Sequence, residues 1–165
     1  MTPGLLDEPR TWFMALGAPV GPREQTAIAG YLRGFSLSVA GPVRTVSNWE
    51  EAAQLVRSPA GRWWACEEDE RHRLEEQAHV DLAGRDWLQL NDVLFAAAVA
   101  AAARHAGTGM AMIRTAAGAA CYAAYHGMLA RAAAVPDDHP FLHKFALFAS
   151  GRWPLGIYDG RFAIF

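Results

Sequence analysis

WLQLNDVLFAAAVAAAARHAGTGMAMIRTAAGAACYAAYHGMLARAAA, residues 87–134, is the stretch whose reading decides the fold. Trp87, Leu88 and Leu90 open a helix that carries through the alanine run to His105. Gly107-Thr108-Gly109 is a turn, and a second helix follows from Met110 to about Ala134. Small residues on the two helices, among them Ala97, Ala101, Gly118, Ala119 and Ala123, predict backbones that approach closely in a bundle. The longest apolar run, residues 93–103, falls far short of the roughly 20 residues that span a bilayer.

Working outward, residues 1–22 are dense in Pro and Gly and predict an irregular N-terminal segment, pinned by Trp12, Phe13, Met14 and Leu16. Pro22 stands at the first position of a helix over 23–33, with Glu24 near its positive end. Residues 36–46 predict an extended segment, with at most a short edge strand. Ser47-Asn48-Trp49-Glu50 reads as a capping box of Ser47 and Glu50, opening a helix to about Arg57. A long helical pattern covers 59–80. Asp137 or Asp138 is expected to cap a last helix bearing Phe141, Leu142, Phe145 and Phe148, which Gly151 stops. In the tail, residues 151–165, Asp159-Gly160 between apolar runs is a strong type I′ hairpin signal. A lone hairpin is marginal in water, so it should pack on the helices through Ile157, Phe162 and Ile164. The expected fold is mainly α: a bundle-like single domain over 1–165 with a short C-terminal β-hairpin.

Composition narrows the function classes. The chain has 165 residues, 52% hydrophobic and 19% charged, which suits one domain with a real core. Net charge is −2 and its arginines are scattered, which argues against nucleic acid as a partner. Cys66 and Cys121 have no metal-ligand spacing and read as free thiols. With no signal-peptide pattern and no membrane span, a cytoplasmic location is expected. No phosphate-loop, dinucleotide or nucleophile-elbow motif occurs, and no cofactor is implied.

Several groupings are candidates for function. Glu67-Glu68-Asp69-Glu70, continued by Glu75 and Glu76, is either a contact patch for a basic partner or a solvated helix face. Trp63 and Trp64 diverge by about 100° on a helix, so one of them is available as an interface anchor. Asp69-x-x-His72 and Glu76-x-x-His79 place carboxylate and imidazole on one face, the pattern of a metal ligand pair, with His72, Glu76 and His79 as the set. Asp137, Asp138, His139 and His143 form a second acid–base cluster, against the plainer reading of a helix cap. His126 reads as a hydrogen-bonded core histidine, with Cys121 near enough on the helix for a Cys–His pair.

Three segments carry a resemblance: Ser47-Asn48-Trp49-Glu50-Glu51-Ala52, then Trp87-x-x-x-Asn91, then Gly151-Arg152-Trp153-Pro154-Leu155-Gly156. In order and spacing the chain resembles small helical bacterial proteins that end in a Gly-x-[Trp/Phe]-Pro-x-Gly hairpin. These are similar to immunity proteins of polymorphic, contact-dependent toxin systems. Here Leu155 stands where that pattern has cysteine and Ile157 where it has tryptophan. The resemblance implies a protein-binding module that neutralises a cognate toxin by occlusion, its partner a basic toxin domain. The alternatives from the residues themselves are a metal-dependent or acid–base enzyme, and a small-molecule-binding helical regulator with a pocket between the alanine-rich helices. A homo-oligomer stays open.

Overall fold

The structure, a computed structural model, describes residues 10–58, 62–78, 85–105 and 109–165, with backbone alone at 62 and 85–90. It contains α1 (Pro22–Gly34), β1 (Arg44–Thr45), α2 (Trp49–Val56), α3 (Arg62–Ala78), α4 (Arg85–Ala102), α5 (Met110–Ala132), α6 (Pro140–Ala149), β2 (Pro154–Tyr158) and β3 (Arg161–Ile164). The mainly α expectation holds. No helix among the described residues is long and apolar enough to cross a membrane.

The alanine-rich α5 is the axis of the molecule and packs against α3, α4 and α6. Ala116, Ala117, Ala120, Ala123, Ala124 and Ala130 are buried on it, opposite Leu94, Ala98, Ala101 and Ala102 of α4. Alanine faces bring backbones near each other, and each helix gains contact without long side chains to order. Gly118 departs from this expectation, because it faces open space rather than another helix. The α1–α6 pair is held as closely: a Cβ at Gly30 would lie 2.2 Å from His143 Nε2, and one at Gly34 2.7 Å from Pro140.

The tail hairpin forms as its sequence predicts. Asp159 and Gly160 have φ of 51° and 70°, the pair a type I′ turn requires. It does not stand alone. β1 pairs parallel with β3, giving a three-stranded sheet in the order β1-β3-β2. Phe162 and Ile164 are buried against Ala27, Ile28, Tyr31 and Leu147, with Ile157 packed beside them.

Two caps lie one residue on from where the sequence puts them. Asn48, not Ser47, caps α2 by accepting from the Glu51 N–H. Glu51, not Glu50, reaches back to accept from the Ser47 N–H and hydroxyl. Asn competes with Ser for the cap and wins here, and the N3 carboxylate closes on the residue before the cap rather than on the cap itself. At α6 the cap is His139, whose Nδ1 accepts from the Phe141 N–H, so neither Asp137 nor Asp138 serves. Gly151, at φ 87°, closes α6 with the two bonds of a Schellman motif, Gly151 N–H to Phe148 O and Arg152 N–H to Leu147 O. Buried Arg152 then donates to the carbonyls of Ala15 and Ala18. This clamps the N-terminal segment, whose Trp12 and Phe13 are fully buried.

Candidate functional site: an aromatic cleft beside a buried polar seam

On α3 the residues spaced at helical period and turned inward are mostly charged. Glu67 is fully buried. Lys144 of α6, the chain's single lysine, donates to both Glu67 carboxylate oxygens at 2.7 Å, and Tyr31 of α1 donates to one at 2.8 Å. Burial and the neighbouring Glu67 push the Tyr31 hydroxyl well above its ordinary range, so it stays a donor. One turn on, Arg71 bridges Glu68 at 2.9 Å and Glu75 at 2.6 Å. Tyr122 donates to Glu68 at 2.9 Å, and Tyr125 donates to Glu75. Glu70 is held by Arg73 at 2.6 Å and His139 at 2.7 Å. Partial burial would raise the carboxyl groups of Glu68, Glu70 and Glu75, but these donors outweigh it and hold all three below the usual range.

Most of the acidic run is therefore engaged within the fold, and only Asp69 of Glu67–Glu70 is left exposed. Glu67, Glu68, Glu70 and Glu75 turn toward α1, α5 and α6, where tyrosine hydroxyls donate to three of them and basic side chains pair with all four. Glu76 is exposed. A charge run seen in sequence carries no sign of which side faces the core; here the deciding partners lie 36 to 77 residues away.

The other candidates separate. His72 is exposed beside Arg71, and His79 lies outside the described residues. Among the described residues no group of three His, Cys, Asp or Glu could hold a metal ion. His139 turns to Glu70, whereas His143 keeps a hydrogen bond with the Asp138 backbone and Asp137 and Asp138 are exposed, so the cluster is only partly assembled. His126 is fully buried, but neither ring nitrogen has a hydrogen-bond partner, contrary to expectation. It lies flat on Phe141, ring centroids 4.0 Å apart, and burial together with Lys144, Arg71 and His139 holds its pKa well below the ordinary value. No Cys121–His126 pair exists. Cys121 is a free thiol, pushed up to about 12 by burial, and so stays protonated.

The seam supports one wall of a cleft of about 460 Å³ between α2, α3, α5 and β2. Trp63, Trp64, Tyr122, Trp153 and Tyr158 line it, with Gly118 on α5 and Lys144 below. Trp64, 40% exposed, stacks on Tyr122 at 5.8 Å and 19°, while Trp63 meets Trp64 edge-on. Trp63 is pressed on Gly156, where a Cβ would lie 2.4 Å from the indole. The two tryptophans do diverge, yet they serve the same cleft. Trp153, a motif residue of the tail, is buried and anchors it. Across Gly118 and Tyr122 lies a second cavity of about 640 Å³ between α3, α4 and α5, reaching Asn91 and Phe95.

Tyr122, Lys144 and Tyr31 escape sequence reasoning, and Gly118 is read there only as a helix-packing residue. One signal was available: the sole lysine sits among Phe141, Phe145 and Phe148, on the apolar face of its helix. Chemically, the cleft offers flat apolar walls and an ammonium already balanced by a carboxylate. That arrangement favours holding a ligand over activating a nucleophile. No family model, curated protein or solved structure matches this chain.

Proposed function

We propose that the protein acts by binding another protein, as an immunity-type module that occludes its partner, with Trp64 as the anchor. One observation carries this reading: Trp64 is large, 40% exposed, and held in place by its stack on Tyr122 at the lip of an aromatic cleft. A pre-positioned aromatic loses little entropy on binding, and such residues dominate interface energetics. The resemblance of the Ser47–Ala52 and Gly151–Gly156 segments to immunity proteins points the same way, and the partner it suggests is the toxic domain of a secreted protein. The partner's matching surface is apolar at its centre rather than strongly basic, because most of the α3 acids, Asp69 and Glu76 excepted, are engaged inside the fold. Free Cys66 and Cys121 suit the reducing cytoplasm in which such a protein would work.

The test is affinity capture from the protein's own source cells with wild-type and Trp64→Ala baits in parallel. Wild type should retain one stoichiometric protein whose activity falls when the chain is added back. Trp64→Ala should weaken that capture about thirtyfold, the loss of a hot spot near 2 kcal/mol. A partner held equally by both baits, or no partner for either, overturns the reading.

A further inference from the structure

Gly118 sits mid-helix in α5, where glycine is destabilising relative to alanine. Other glycines of the helical core have a steric reason to be glycine. A Cβ at Gly30 would strike His143, and one at Gly127 would lie 3.2 Å from the Phe145 ring. At Gly118 a Cβ would meet nothing within 4 Å, although the residue lines both cavities. Its lack of a side chain leaves the cleft open rather than letting a neighbour approach.

What the open space would take follows from its walls. Trp64 and Tyr122 present nearly parallel rings, the geometry that continues onto a further flat ring system. The volume, about 460 Å³, lies in the range of small-molecule sites. Among the described residues, the one cationic group lining it is Lys144. An ammonium has three N–H donors, and Glu67 accepts from Lys144 through both of its oxygens. Lys144 Nζ also lies 6.0 Å from the centre of the Trp63 ring in the cleft wall. Because Glu67 already balances the charge, a ligand carboxylate would meet a competing carboxylate, whereas a neutral carbonyl reaching that edge of the ammonium could accept its third donor.

We infer that this cleft is a small-molecule site for a flat, uncharged, bicyclic-sized aromatic ligand bearing one hydrogen-bond acceptor, which Gly118 makes room for and Lys144 recognises. This inference goes beyond the protein-binding reading and does not depend on it; capture by Trp64→Ala and ligand titration fail separately.

The experiment is calorimetric titration of the full chain with 2-acetylnaphthalene and with 2-ethylnaphthalene, which has nearly the same shape but no acceptor. Saturable binding of the acetyl compound is expected, with the ethyl compound at least about tenfold weaker, as for loss of a hydrogen bond to a charged donor. Gly118→Leu should abolish binding without lowering the melting temperature, since the new side chain enters open space and improves helix propensity. If the leucine variant does not fold, Gly118→Met, a good helix former with a flexible chain, makes the same test. Absence of saturable binding to wild type, equal affinity for the two compounds, or unchanged binding in the folded Gly118 variant overturns the proposal.

Discussion

Glu67 shows how one residue joins three helices. Its carboxylate, fully buried, receives Lys144 from α6 and Tyr31 from α1. Taking two charges out of water is costly, and their mutual attraction offsets that cost only with close geometry and added hydrogen bonds, here both Glu67 oxygens on Lys144 and the Tyr31 hydroxyl. Removing one partner leaves the other charge buried and alone. Glu67→Ala should therefore destabilise the fold by about 3–5 kcal/mol, read from urea unfolding. A loss below about 1 kcal/mol would show that Lys144 finds water or another partner, and the seam would not be the structural element described. His126 gives the second prediction at this scale. Its pKa is depressed in the fold, so the unfolded chain binds more protons once pH falls below the ordinary value of 6.5. Its stabilising contribution is present above that pH and is lost progressively as pH falls, approaching about 1.4 kcal/mol per unit. The half-buried His143 acts in the same direction. Glu68, Glu70 and Glu75, depressed from 4.5, add their loss only below that value. Between pH 7 and 5, His126→Phe, which keeps the stack on Phe141, should lose less stability than wild type. Parallel losses would remove His126 from the acid response.

At the scale of elements, the capping of α2 is directly testable. Asn48→Ala removes the acceptor for the Glu51 N–H and should cost about 0.5–2 kcal/mol, whereas Glu50→Ala should change stability little. The reverse order of effects in thermal melts would restore the Ser47–Glu50 box. How legible the elements were depends on how local their causes are. The Asp159-Gly160 turn, Pro22 at the start of α1 and Gly151 after α6 were readable because each acts within a few residues. The α2 cap slipped by one because Ser47 and Asn48 are both good caps, each with a glutamate three residues on. The short edge strand allowed for in 36–46 forms as β1, but its partner was unreadable, since the pairing is to Ala163 and Ile164 over 100 residues away. The inward face of α3 was misread for a related reason. Its period is helical, but what fills the inward positions is charge, and charge is satisfied only by residues distant in sequence.

For the whole molecule, the arrangement divides labour. Alanine faces on α4 and α5 bind the bundle closely, the Arg152 clamp and the sheet seal one end, and the α3 seam commits its charges internally. Large apolar side chains left outward are sparse among the described residues: Met14, Trp64, Val93 and Met110. Only Trp64 of these belongs to the aromatic cleft. The most direct test of a Trp64-centred binding role is hydroxyl-radical footprinting of the chain alone and in its captured complex, with oxidation read residue by residue. Strong protection of Trp64 in the complex is expected, while Met14 and Met110 stay as reactive as in the free chain. Protection of Met14 or Met110 with Trp64 still fully reactive would place the interface elsewhere and contradict it.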